Sequence, residues 1–182
     1  MLLACLMALS VGIALAWTSP VLPQLSKEGS WLVITTEEGS WIGSLLALGA
    51  ILGAVPSGPM ADKFGRKRTL LLLAAPFLLS WVIIVLASKL WLIYVARFII
   101  GVAVGAACVV VPTYISDIAE TSTRGTLGAM FQLFITVGIL LAFVLGAVMN
   151  YTAFAIVCGL VDVGFLAAFV WMPESPVWLV VG

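Results

Sequence analysis

The amino-acid sequence predicts an all-α, polytopic membrane protein with six membrane-spanning helices. Three observations carry this expectation. Only 9% of the 182 residues are charged and 64% are hydrophobic, with a mean hydropathy of +1.28. A soluble domain carries about 25% charge and uses it to cover its surface. The uncharged runs also reach membrane length: residues 41–60, 69–88 and 98–116 hold no charge, and 125–161 is a run of 37 uncharged residues. One bilayer crossing needs roughly 20. Finally, the charges that exist are clustered, five of the sixteen falling in GPMADKFGRKR, residues 58–68.

The spans follow in order. The first covers about 2–22, with Pro20 and Pro23 near its outer end. No basic stretch precedes it and no small-residue cleavage site stands out, so it reads as a helix rather than a signal peptide. A loop with Lys27, Glu28, Glu37 and Glu38 comes next. Thr35 followed three residues later by Glu38 is a capping-box pattern opening the second span, about 38–60. The third, fourth and fifth spans cover about 69–87, 90–116 and 126–149. Asn150-Tyr151-Thr152 supplies the turn before the sixth, about 153–172. That tripeptide also matches a glycosylation sequon, discounted because a glycan would be crowded at the membrane surface. Pro56, Pro76 and Pro112 lie inside spans, where they kink helices and free carbonyls that neighbours or a cavity must satisfy. Gly49-x-x-x-Gly53 and Gly101-x-x-x-Gly105 mark faces where helices approach closely within the bundle. Trp41, Trp91, Tyr94, Tyr151, Trp171 and Trp178 fall near the expected interfaces as an aromatic belt. Trp81 falls mid-span and requires a packing partner.

Orientation is read from Lys and Arg. Lys63, Arg66, Lys67, Arg68 and Arg124 lie on one side, against Lys27 and Lys89 on the other. The basic side is cytoplasmic, and six spans put both termini there too, in a multi-pass protein of the plasma membrane. A net charge of zero argues against nucleic acid, whose phosphates need a basic surface. Cys5, Cys108 and Cys158 sit in apolar runs, and with no His there is no metal-ligand spacing. No cofactor is expected. No nucleophile–base set or phosphate loop appears, so an enzyme is not expected either.

The order of residues in Gly58-Pro-Met-Ala-Asp62-Lys63-Phe-Gly65-Arg66-Lys67 resembles the loop between the second and third spans of the major facilitator superfamily. RFIIGVAVGA (97–106), VPTYISDIAETSTRGTLGAMFQLFITVGIL (111–140) and PESPVWL (173–179) look like signatures of its sugar porter family. WTSPVLPQL (17–25) and SWIGSLLALGAILGAVPSG (40–58) resemble the trehalose and glucose facilitator branch. The resemblance implies half of a twelve-helix fold: an N-terminal six-helix unit of two inverted three-helix repeats, with substrate bound between halves near mid-membrane. The C-terminal half, and the tail that normally precedes the first span, are not in this sequence.

The same resemblance implies roles for particular residues. Asp62, Arg66, Lys67, Asp117, Arg124 and Glu174 would form a cytoplasmic charge network that bridges to the other half and holds the outward-open state. Two departures weaken that match: Asp117 stands where Glu is usual, and Val177 where Arg normally follows the Pro-Glu-Ser-Pro motif. Arg97, some seven residues into the fourth span, is expected to be a structural contact inside the bundle, and Gly58, Gly65 and Gly125 structural positions of the motifs. Gln132 matches the family's substrate-contacting Gln. An amide offers two donors and an acceptor to sugar hydroxyls and is expensive in lipid unless it faces a cavity. Ile135, Thr136 and Ile139 follow at helical spacing, and Thr18 and Ser19 offer further hydroxyls.

The implied function is transport of a small neutral sugar, trehalose or a hexose, by facilitated diffusion with alternating access. The implied partners are the lipid bilayer and either the missing C-terminal half or a full-length relative. The alternatives are a non-transporting half that associates with such a relative, and a half for another small solute, since fold does not fix function. Asp162 falls mid-span, where an acid is a functional hypothesis by default. It matches no coupling position of the family, whose proton symporters resemble one another in placing their acid on the first span. Residues 1–26 hold no acidic or basic side chain, so uniport is expected, with Asp162 either protonated or paired across the bundle.

Overall fold

The structure, a computed structural model, describes residues 2–27, 32–119 and 122–171. Among these, seven helices appear: α1 (Leu2–Ala16), α2 (Thr18–Leu25), α3 (Thr36–Phe64), α4 (Arg66–Leu86), α5 (Leu90–Ile118), α6 (Arg124–Val148) and α7 (Tyr151–Phe169). They make six segments long and apolar enough to cross a membrane, the first joining α1 to α2 over Leu6–Leu25. Pro20 is tolerated because it falls in the first turn of α2, where its missing N–H costs no helical bond.

The α3 start forms as its sequence pattern requires. Thr35 Oγ1 accepts from the Glu38 N–H at 3.2 Å, and the Thr35 N–H donates to Glu38 Oε2 at 2.8 Å. Between α3 and α4 the chain reverses on one residue, Gly65, whose φ of 93° is open to glycine and strained for others. The helix continues through Asp62 and Lys63 to Phe64, four residues past the expected end of the span. Hydropathy reads the bilayer boundary, and the helix continues beyond it.

Two glycine seams hold the bundle. In the first, Gly49 and Gly53 of α3 lie against the backbone of Phe98 and Val102, while Gly101 and Gly105 of α5 lie against that of Leu46 and Ala50. In the second, Gly12 of α1 abuts Ile135 O of α6, and Gly138 of α6 abuts Leu9 O. A Cβ at any of these positions would strike backbone. Small residues bring the helix axes close, and dispersion then holds them without help from a hydrophobic effect. The two seams are the same arrangement twice. Exchanging α1–α4 with α5–α7 turns the α3–α5 seam into the α6–α1 seam, as an inverted repeat requires.

Burial is uneven. Of the α5 span 61% is buried, of α3 28% and of α6 22%. The aromatic residues divide accordingly. Trp41, Trp91 and Trp171 are exposed, whereas Tyr151 is buried and donates its hydroxyl to Ile84 O at 2.8 Å. Tyr151 is therefore a core residue and no part of an aromatic belt. Trp178 lies outside the described residues.

Candidate translocation face and gate

The α6 helix presents Gln132 and Thr136 on its exposed side, with Ile139 half-buried beside them. The Gln132 amide has no hydrogen-bond partner among the described residues, while Thr136 Oγ1 donates back to Gln132 O at 3.0 Å. Ile135 departs from this face. It is 7% exposed, turned into the seam where Gly12 meets its carbonyl. The i+3 neighbour of Gln132 thus serves α1–α6 packing.

Thr18 and Ser19 also separate. Thr18 Oγ1 accepts from Arg97 Nη2 at 2.8 Å. Ser19 lines a notch near the end of α6, beside Pro20, which touches Gly146. From Gln132 to Gly146 is about 21 Å along a helix rising about 1.5 Å per residue. The structure therefore does not bring Ser19 and Gln132 into one site.

Arg97 is 1% exposed. Its guanidinium donates to Ala14 O at 3.0 Å as well as to Thr18, and lies 5.2 Å over the Trp17 ring. A buried cation needs its donors filled, and here carbonyl, hydroxyl and indole face supply the partners. Trp17, fully buried, packs edge-on against Trp81 (6.1 Å) and Tyr151 (5.9 Å). The Trp81 indole in turn donates to Asp162 Oδ2 at 2.7 Å. Ser10, whose hydroxyl donates to Leu6 O at 3.4 Å, is the second polar side chain beside that carboxyl. Asp162, 2% exposed, is thus paired across the bundle, and Trp81 has its partner. Nothing in the sequence pattern singled out Ser10 or Trp17, because their roles arise only where four helices meet.

At the opposite end from Ser19, Arg66 joins three elements. It is 2.8 Å from Asp62 Oδ1 and 3.0 Å from Asp117 Oδ2. The second contact is a close approach of charges without hydrogen-bond alignment, since Arg66 Nε has no aligned acceptor. Asp62 is 70% exposed, whereas Arg66 and Asp117 are 13% and 15% exposed. Lys67 Nζ donates to Val170 O at 2.9 Å, at the end of α7. Arg124 is exposed, with no ion pair among the described residues, and Glu174 lies outside them. Of the motif glycines, only Gly65 has a conformational requirement; a Cβ on Gly58 or Gly125 would meet nothing within 4 Å.

Six membrane helices in an inverted repeat, with a charged turn at one end and an open polar face on α6, define half of a major facilitator fold. The chain belongs to the sugar (and other) transporter family, which it matches over residues 4–182. It is a family of transporters, not of enzymes. The chain is 33% identical over 171 residues to a facilitated trehalose transporter Tret1 of Polypedilum vanderplanki, an alignment covering 93% of this chain and 34% of that protein. A protein of the same name from Drosophila mojavensis is 35% identical over 174 residues, covering 95% and 20%. Among solved structures, the inward open xylose transporter XylE from E. coli superposes with a TM-score of 0.86 at 23% identity, covering 98% of this chain and 49% of that one. The human organic anion transporter MFSD10 does so at 0.79 and 20%, covering 95% and 47%. At these identities the structural likeness shows the fold. The chain spans about a third or less of the two curated relatives.

Proposed function

We propose that this chain is the N-terminal half of a transporter that moves a neutral sugar, trehalose or a hexose, by facilitated diffusion with alternating access. The observation that carries the reading is the unpartnered Gln132 amide on the open side of α6. A polar group at that depth is expensive against lipid, but suits a cavity completed by a second six-helix half. Trehalose enters from the relatives named facilitated trehalose transporters. Such a half comes from the same polypeptide or from a full-length relative. The site comprises Gln132, Thr136 and Ile139, with Ile135 setting the helix position from behind. Arg66, Asp62, Asp117 and Lys67 form the cytoplasmic side of the gate, and Arg124 and, by the family resemblance, Glu174 are assigned to the same charge network. The Lys/Arg asymmetry supports the reading that both termini are cytoplasmic, and the plasma membrane is the proposed location.

Tracer uptake of trehalose and glucose by cells expressing the gene in full tests this. Saturable uptake of either sugar above that of untransfected cells is expected, and uptake of neither overturns the reading. Gln132→Ala should weaken uptake without lowering the amount of folded protein at the surface.

A further inference from the structure

The notch between the end of α2 and the end of α6 has unusual polar chemistry. It has a volume of about 620 Å³, within the roughly 300–1,000 Å³ of small-molecule sites. Its polar lining comes from Ser19, Gln24, Lys27 and Asn150, and Pro23 and Phe143 contribute apolar surface.

Several other hydroxyls are spent on their own backbone. Ser26, Ser40, Ser44, Thr113 and Thr136 each donate to the carbonyl four residues back. Ser19 makes no such bond. Its carbonyl also lacks a helical donor, because residue 23 is proline. Asn150 holds the N-cap position of α7, yet its side chain caps nothing. N-cap Asn is favoured because that bond is made, so its amide is left for another partner. Gln24 is fixed in place. Its Nε2 donates to Gly146 O at 2.8 Å and to Met149 O at 3.2 Å, filling orphan carbonyls at the α6 end. Its Oε1 remains an acceptor with no partner among the described residues. Lys27 has no ion pair among them.

We infer that this notch is a loading subsite for a neutral saccharide, separate from the Gln132 face and about 21 Å from it along α6. Polyol recognition needs convergent donors and acceptors without obligatory charge, and an apolar surface for the C–H face of the ring. Ser19, Asn150 and Gln24 Oε1 supply the first, Phe143 and Pro23 the second, and Lys27 adds a donor. Under the proposed orientation the notch faces outward, where sugar arrives first. The inference rests on the sugar reading above.

The test uses cells expressing the gene in full with Ala147→Cys, an exposed notch position with no bonding role. A membrane-impermeant maleimide is added outside, the parent protein setting the background. Trehalose or glucose should slow labelling, by about half at a concentration equal to its Kd, while equimolar betaine does not. Protection should persist in Gln132→Ala. Ser19→Ala with Asn150→Ala should raise the half-protecting concentration about fivefold to tenfold, as for lost ligand hydrogen bonds. Protection that disappears with Gln132→Ala overturns the separate subsite, since it would report binding at mid-membrane. No protection alongside saturable uptake overturns the subsite and leaves the sugar reading standing. Neither protection nor uptake overturns both.

Discussion

The Trp81 indole donates to Asp162 Oδ2 at 2.7 Å across the α4–α7 seam. These residues are 81 positions apart, and both are buried in the bundle, at 2% exposure each. The bond gives a mid-membrane acid a structural partner. With Arg97 over Trp17 and Trp17 against Trp81, it completes a polar and aromatic column that joins α5, the α1–α2 junction, α4 and α7.

Removing one end of that bond leaves a buried polar group unsatisfied. Trp81→Phe should therefore destabilise the bundle by about 1–3 kcal/mol. Asp162→Asn, which keeps an acceptor in place, should cost less. Thermal unfolding in detergent ranks the two, and equal losses would remove the hydrogen bond from the explanation.

The glycine seams make a sharper contrast. Gly53→Ala places a methyl against Val102 backbone, and overpacking of this kind costs about 1–3 kcal/mol. Gly125→Ala meets open space and should stay within about 0.5 kcal/mol of the parent. The same unfolding measurement decides. A tolerated Gly53→Ala would mean that the α3–α5 seam is looser than described.

Arg66 divides its two ion pairs by exposure. Double-mutant cycles on surface expression of folded protein should give a coupling of about 0.5–3 kcal/mol with Asp117, since both side chains are largely buried. Coupling with Asp62, 70% exposed, should fall below about 1 kcal/mol because solvent screens it. The opposite ranking would make the Arg66–Asp117 approach incidental.

Orientation is testable at the basic turn. A cysteine replacing Arg68 should react with an impermeant maleimide only after permeabilisation, and one replacing Thr35 should react in intact cells. The reverse pattern would invert the bundle.

Much of this was legible in the sequence, for physical reasons. Charge-free runs of membrane length gave the six spans, and Thr35 with Glu38 gave the start of α3, because both signals are local. The two GxxxG motifs pointed to close helix approach but not to each other. That they face one another depends on tertiary register. The Trp81–Asp162 bond was out of reach for the same reason. The expected sugar set divided because helical spacing places Ile135 within a narrow angle of Gln132 but does not say which edge of that face meets α1. The sequence offers the Ser19 hydroxyl to the sugar set, and only the fold carries it to the far end of α6.

Under the proposed function, the full protein would dissipate a sugar gradient and couple it to nothing else. Vesicles carrying the full gene product, loaded with equal tracer sugar on both sides and given a pH gradient, test it most directly. The account predicts an internal-to-external sugar ratio that stays at unity with or without a proton ionophore. Accumulation that collapses with the ionophore and is lost in Asp162→Asn would contradict it, and would make Asp162 the proton site.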